Sequence, residues 1–297
     1  MSGIMALMLG LVTRNIRALF GYGQTGAGSG ITAITNIVSA AGVVASDTTG
    51  VGTARRGPAA TQYGVGKAIF GYGSTGSVTA ISNLVSDSGI VATDSASIGT
   101  AREGVAAASY GADKGLFGFG FSSTYEGVTN LISNTGVVAT DTAAVGIGRN
   151  LCAGAEYGTD TAIFGFGFNG STLSTTALVS NTGVVASDTA SVGTARVGLA
   201  AASFGGDKAV FGFGSGSNIT NIVSNTGVVA SDVSGVGTSR FYMAAAEYGT
   251  DTAIFGYGYT STSVSMTNLI SNTGVIASDT TGVGTARNTL AAASYGF

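Results

Sequence analysis

The stretch Gly193–Gly214, GTARVGLAAASFGGDKAVFGFG, holds an arginine, a run of small residues, a Gly-Asp turn and an apolar run closed by glycines. Versions of it recur six times along the 297 residues. The phenylalanine of its FG(Y/F)G signature falls at Phe20, Phe70, Phe117, Phe164, Phe211 and Phe255, at spacings of 50, 47, 47, 47 and 44 residues. Self-similarity near fifty residues marks propellers and solenoids, whose units cannot bury an apolar face alone and must stack on like neighbours.

Two further landmarks keep the same beat. Asp47, Asp94, Asp141, Asp188, Asp232 and Asp279 are each followed eight residues later by an arginine: Arg55, Arg102, Arg149, Arg196, Arg240 and Arg287. Asn36, Asn83, Asn130, Asn221 and Asn268 mark a third position, which Ala177 fills in the fourth copy. From that position to the next signature phenylalanine is 34 residues every time, whereas the stretch after the phenylalanine varies between 10 and 16. Length variation confined to one segment of a fixed frame reads as an exposed loop.

Within one repeat four short strands are expected. Leu199–Gly205 suits a crowded position where only small side chains fit, and Lys208–Gly214 has the β-branched and aromatic content of a buried strand. Ser217–Ser224 follows the variable loop, and Val228–Asp232 follows the turn signal Asn225-Thr226-Gly227. Four strands and the glycine-rich crossover Ser234–Arg240 make one propeller blade.

Closure follows from the ends. The first copy starts at its second strand, Asn15–Gly23, and the chain finishes on a first strand, Asn288–Phe297, with no second strand after it. Pairing the two completes six blades and leaves no unpaired edge at the seam, whereas an open solenoid needs polar caps that neither end offers. The expected architecture is all-β: a six-bladed propeller of four antiparallel strands per blade over residues 14–297, preceded by an apolar arm, residues 1–13.

The repeat resembles the kelch-type propeller repeat over Asn15–Phe297. In that family an arginine precedes a small-residue strand that leads to an apolar strand ending in glycines, matched here by Arg196, Leu199–Gly205 and Lys208–Gly214. It departs in having Gly-Phe-Gly or Gly-Tyr-Gly for the adjacent glycine pair, and the chain has no tryptophan. It is more similar to the divergent Gly/Ser/Thr-rich kelch-like repeats of marine bacteriophage structural proteins.

Composition narrows the function. Hydrophobic residues at 44% suffice for a core, and fifty glycines with the single proline, Pro58, suit many tight turns and unbroken ladders. A net charge of −3, with twelve basic residues spread around the repeats, gives no footprint for nucleic acid. No apolar run is long enough for a membrane span, and the N-terminal stretch has no basic residue ahead of its apolar middle, as a signal peptide would. The lone Cys152 stands where other copies carry Val105, Leu199, Met243 and Leu290, and reads as a buried apolar side chain.

Catalysis has little to stand on. The chain has no histidine, one cysteine and no clustered carboxylates, so neither a general base, a metal site nor a cofactor is expected. The copper-radical oxidases, an enzymatic use of kelch-like propellers, need histidines for their metal. The stretch Gly71–Gly76 imitates a phosphate-binding glycine loop, but no helix follows it.

The twelve residues of the Asp-x7-Arg pairs are expected to be structural, each guanidinium using its planar donors on carbonyls or an Asp to tie blade to blade. Glu156 and Glu247 occur in the copies whose second strand begins with Thr161 or Thr252 in place of a base, which suggests Glu–Lys pairing between blades. Recognition is expected on the variable loops, at Phe121, Tyr125, Glu126, Phe168, Asn169 and Tyr259, where aromatics stand among hydroxyl and amide groups. The function expected is that of a non-enzymatic virion protein, a phage capsid or tail accessory or a host-surface adhesin. Its arm or loops would meet other virion proteins, and its loops a host-surface glycan or protein. The alternatives are a free or cell-surface lectin and, third, a propeller enzyme.

Overall fold

A computed structural model describes residues 15–26, 30–96, 98–143, 145–190 and 193–296. The apolar arm assigned to residues 1–13, and its expected contacts, lie outside these residues. The described residues contain strands and turns but no helix.

They form six small antiparallel sheets and a two-residue ribbon, Gln24–Thr25 with Gly30–Ile31. Sheets 2 to 6 are each built from consecutive strands, four in sheet 2 and three in the others, headed by Ala59–Tyr63, Ala106–Tyr110, Ala153–Tyr157, Ala200–Phe204 and Ala244–Tyr248. Sheet 1 is assembled from both ends of the chain: Ala291–Tyr295 pairs with Arg17–Gly21, which pairs with Thr35–Val38. Its register, Arg17 opposite Tyr295 and Gly21 opposite Ala291, repeats that of Lys208 opposite Phe204 and Gly212 opposite Ala200 in sheet 5.

The middle strand of each sheet is buried along its whole length after the first residue, which explains its continuous apolar run. Its two faces meet different neighbours. The apolar core is divided into six clusters, one at each junction between consecutive sheets, including that between sheet 6 and sheet 1. Each junction contains an edge-to-face pair between the aromatic of one Gly-aromatic-Gly signature and the phenylalanine of the next. The pairs run Tyr22–Phe70, Tyr72–Phe117, Phe119–Phe164, Phe166–Phe211, Phe213–Phe255 and Tyr257–Phe20, with centroids 5.1–5.3 Å apart. The glycine before each aromatic is a matter of space: a Cβ on Gly71 would stand 2.6 Å from Cζ of Phe117, and one on Gly212 2.5 Å from Cζ of Phe255.

Backbone hydrogen bonds follow the same cyclic order. Gly104 N donates to Gly57 O, Leu151 to Gly104, Gly198 to Leu151, Tyr242 to Gly198, Thr289 to Tyr242 and Gly57 to Thr289, at 2.7–3.0 Å. Six amides, one per sheet, thus hand a hydrogen bond around and back to the start. At the opposite end of the sheets the turn amides of Gly64, Gly111, Gly158, Gly205, Gly249 and Gly296 each donate to a carbonyl of the following sheet.

The fourth strand of each unit differs from expectation. Among the described residues only sheet 2 has one, Ser95–Ala96, and elsewhere the outer segment touches the third strand at two isolated bridges, such as Val223 with Val229 and Thr220 with Val233. Three steps on one side span four on the other, so the outer segment carries an extra residue, a bulge that interrupts the ladder. The carbonyl it turns aside is taken by a side chain: Asn221 Nδ2 donates to Ala230 O at 3.0 Å.

Candidate functional site

Two sets of residues could carry function: the buried Asp and Arg landmarks, and the face bearing the variable loops. The landmarks come first, because they fix the frame.

All six landmark arginines are fully buried. In sequence each follows an Asp by eight residues, but its carboxylate partner is the next one along the chain. Arg196 Nη1 lies 3.5 Å from Asp232, Arg240 Nη1 3.5 Å from Asp279, and Arg287 Nη1 3.8 Å from Asp47 across the seam. The reason is topological: an arginine that heads the inner strand of a sheet faces the Asp on the outer segment of that same sheet. Between them stands the Asn of the third strand. Arg240 Nη2 donates to Asn268 Oδ1 at 2.5 Å, and Asn268 Nδ2 donates to Asp279 Oδ1 at 2.9 Å. In Arg55, Arg102 and Arg240 Nε donates to the carbonyl of the signature aromatic, as Arg102 does to Phe119 O at 2.7 Å, whereas Nε of Arg196 and Arg287 is buried without a partner. The guanidinium also lies over the ring of the preceding sheet's aromatic, Arg55 over Tyr22 at 4.0 Å and Arg240 over Phe213 at 4.5 Å. Hydrogen bonds therefore close each sheet on itself, and the cation–π stack joins it to its neighbour.

Sheet 4 solves the same problem differently. Ala177 replaces the Asn and Ile147 replaces the threonine whose hydroxyl caps the Asp in the other five sheets. Arg149 there reaches Asp188 directly and also donates to Thr175 O and Oγ1 at 3.2 and 2.9 Å. Its distance from the Phe119 ring, 5.0 Å, is the longest of the six stacks.

The environment sets the charges of these groups. Burial pushes the carboxyls of Asp47, Asp94, Asp141, Asp232 and Asp279 up, but hydrogen bonds from threonine and asparagine, with the nearby arginine, outweigh it, and all five lie below the usual carboxylate range. Burial lowers Arg240 to about 10 and raises Tyr257 to about 12. It pushes the Cys152 thiol up to about 12, so no nucleophilic thiolate is available there.

The loop face is different in kind. The residue after each landmark arginine, Arg56, Glu103, Asn150, Val197, Phe241 or Asn288, contacts the first residue of the variable loop of its own sheet, for example Asn150 opposite Phe168 and Phe241 opposite Tyr259. Four of these residues, Arg56, Glu103, Asn150 and Asn288, border a cup of about 240 Å³ together with Gln24, Tyr242 and other members of the hydrogen-bonded cycle. Beside it, and sharing Asn150, Leu151 and Tyr242, is an open concavity of about 350 Å³ that adds Phe121, Tyr125, Phe168 and Val197.

Three of the six loop candidates meet there. Tyr125 stands between Phe121 and Phe168, with centroids 5.3 and 5.8 Å away. Tyr259 belongs to a second cluster, against Phe241 at 5.5 Å, and connects to the concavity through the Phe241–Tyr242 pair at 4.6 Å. Glu126 and Asn169 brace their own loops: Ser122 and Thr124 donate to the Glu126 carboxylate, and Asn169 N donates to Ser171 O. Reading the sequence missed Asn150, Leu151, Tyr242 and Thr289. The only signal was that the position after Arg-x holds Gly57, Gly104 and Gly198 in three copies and Leu151, Tyr242 and Thr289 in the others.

Near the turns at the opposite end of the sheets a second cavity, about 300 Å³, is lined by Gln62, Glu156, Ser203, Lys208 and Glu247, among others. Glu156 accepts a hydrogen bond from Ser109 Oγ of the adjacent sheet at 2.6 Å, while Lys114 and Lys208 pair with their neighbours Asp113 and Asp207. Among the described residues no group of three or more His, Cys, Asp or Glu side chains could hold a metal.

No protein-family model matches the chain, and no curated protein matches its sequence.

Proposed function

We propose that the six sheets are the blades of a six-bladed propeller of kelch-like type, and that the protein is a non-catalytic structural and interaction protein of a virion, a phage capsid or tail accessory or adhesin. The loop-bearing face makes its contacts with a neighbouring protein or a host surface.

One observation carries this reading. Framework positions repeat from sheet to sheet, whereas the six residues that follow the landmark arginines on the loop-bearing face, Arg56, Glu103, Asn150, Val197, Phe241 and Asn288, include only one residue type twice. A framework that must close obeys its symmetry, and a surface freed from that symmetry is where a particular partner is read. The absence of histidine and the buried state of Cys152 support a binding role over a chemical one.

The test is stoichiometry. Density-gradient particles from the source virus should contain the chain at a fixed number of copies per particle, and particles lacking it should lose assembly or attachment. Particles free of the chain would defeat the virion reading. A free lectin, the reading favoured by the aromatic concavity, would then stand in its place.

A further inference from the structure

We infer that the concavity on the loop face is a saccharide site: a pyranose ring lies on the Phe121–Tyr125–Phe168 cluster while one of its hydroxyls donates to Asn150 Oδ1 at the border with the cup. The inference deepens the proposed function by naming what that face binds.

Three independent observations support it. The first is the aromatic surface, where three half-buried rings packed on one another line the concavity. The axial C–H groups of a pyranose carry partial positive charge and fit the negative face of such a ring. The second is an unmet hydrogen bond: Asn150 Oδ1 and Thr289 Oγ1, both at the cup, are shielded from solvent and have no partner among the described residues. A shielded acceptor without a donor is unfavourable in the free protein, and rotation of the Asn150 side chain toward the cup would let a ligand hydroxyl supply the missing bond.

The third is backbone strain placed at the same spot. Leu151, Tyr242 and Thr289 take φ of 52, 56 and 48°, the left-handed region, at the position where the three other sheets use glycine. Gly57, Gly104 and Gly198 show that the cycle closes without a side chain there. Bulky residues in that conformation persist where the surroundings hold them for a purpose. Here Leu151 and Tyr242 build the wall shared by cup and concavity.

A proline-rich peptide also uses aromatic surfaces, but it presents mainly carbonyls and favours parallel aromatic ridges. This site adjoins a cup whose lining includes the donors and acceptors of Arg56, Glu103, Asn150 and Asn288, which suits a ligand carrying several hydroxyls.

The full chain should be screened on a glycan array, and its best oligosaccharide titrated by calorimetry against the wild type and three variants. Phe168→Ala and Asn150→Ala should each weaken binding by roughly tenfold or more, the range for removing a central contact. Tyr242→Gly separates binding from folding: it should weaken binding while holding or raising the melting temperature, because glycine removes the strain. Absence of binding to any glycan, equal affinity in all three variants, or capture of a peptide that the sugar does not displace would each overturn the saccharide assignment. The particle stoichiometry is measured apart from this, so a failure here leaves the structural reading to its own test.

Discussion

Sheets 4 and 5 place the same buried guanidinium in front of the same carboxylate and satisfy it in opposite ways. In sheet 5, Asn221 takes a hydrogen bond from Arg196 at 2.5 Å and passes one to Asp232 at 2.8 Å, while Thr194 Oγ1 caps the carboxylate at 2.6 Å. In sheet 4 both relays are gone, replaced by Ala177 and Ile147, and Arg149 holds Asp188 itself. The lesson is that the framework demands a neutralised cation at each junction, not a particular asparagine, and it tolerates an unpartnered Nε on Arg196 and Arg287. A buried charge left without partners costs several kcal/mol, so either solution is far better than none.

The largest expected effect comes from removing the cation. Arg196→Ala strands the Asn221 and Asp232 groups and opens a void behind Phe166, and should destabilise by about 3–5 kcal/mol, the range for breaking a buried pair. Arg149→Ala should cost as much or more, because the side chain of Asp188 is 11% exposed against 29% for Asp232 and is left with less water. Equilibrium denaturation reads both. Cys152, buried in the same core cluster as Phe119 and Phe164, gives a local check: its thiol should react with maleimide only when that junction opens, and sooner in Arg149→Ala.

Next comes conversion of one sheet into the other. Asn221→Ala should cost about 1–3 kcal/mol as hydrogen bonds to a charged group are lost, and Thr194→Ile a similar amount or less. The double change reproduces the sheet 4 pair of residues. Arg196 Nη1 is already 3.5 Å from Asp232 and can close on it, so the double variant should cost less than the sum of the singles. Strict additivity would show that sheet 4 owes its arrangement to something other than these two positions.

What could be read from the sequence follows the same division. The repeat, the all-β class and the buried middle strand were readable because they depend on periodic apolar and glycine positions such as Phe211 and Gly212. The arginine partners were not, since spacing along the chain ties Asp188 to Arg196, whereas the fold ties Asp188 to Arg149. The two are 39 residues apart and meet only because the inner and outer parts of one sheet are laid side by side. The outer strand was overcalled because Val228–Asp232 has strand composition, and nothing local announces that Asn221 will claim one of its carbonyls. In the candidate site the aromatic loops stood out by composition. Leu151 and Tyr242 did not, because an ordinary apolar residue betrays no left-handed backbone until the chain is folded.

The smallest effect is the most uniform. In the five sheets that keep the asparagine, hydrogen bonds to Asp47, Asp94, Asp141, Asp232 and Asp279 overcome burial and hold the carboxyls below their usual value. A carboxyl whose folded pKa is depressed adds stability that is fully present above the unfolded pKa and is lost as pH falls through the folded one. The melting temperature should therefore be level down to about pH 5 and then fall, steepening below about pH 4 as the unfolded chain takes up protons first. All five carboxylates are partly exposed, so each contributes little and the slope is their sum. Asp232→Asn should lower stability at pH 7 while making the acid slope shallower. An unchanged slope in that variant would mean that the threonine and asparagine bonds do not favour the charged carboxylate over the protonated one.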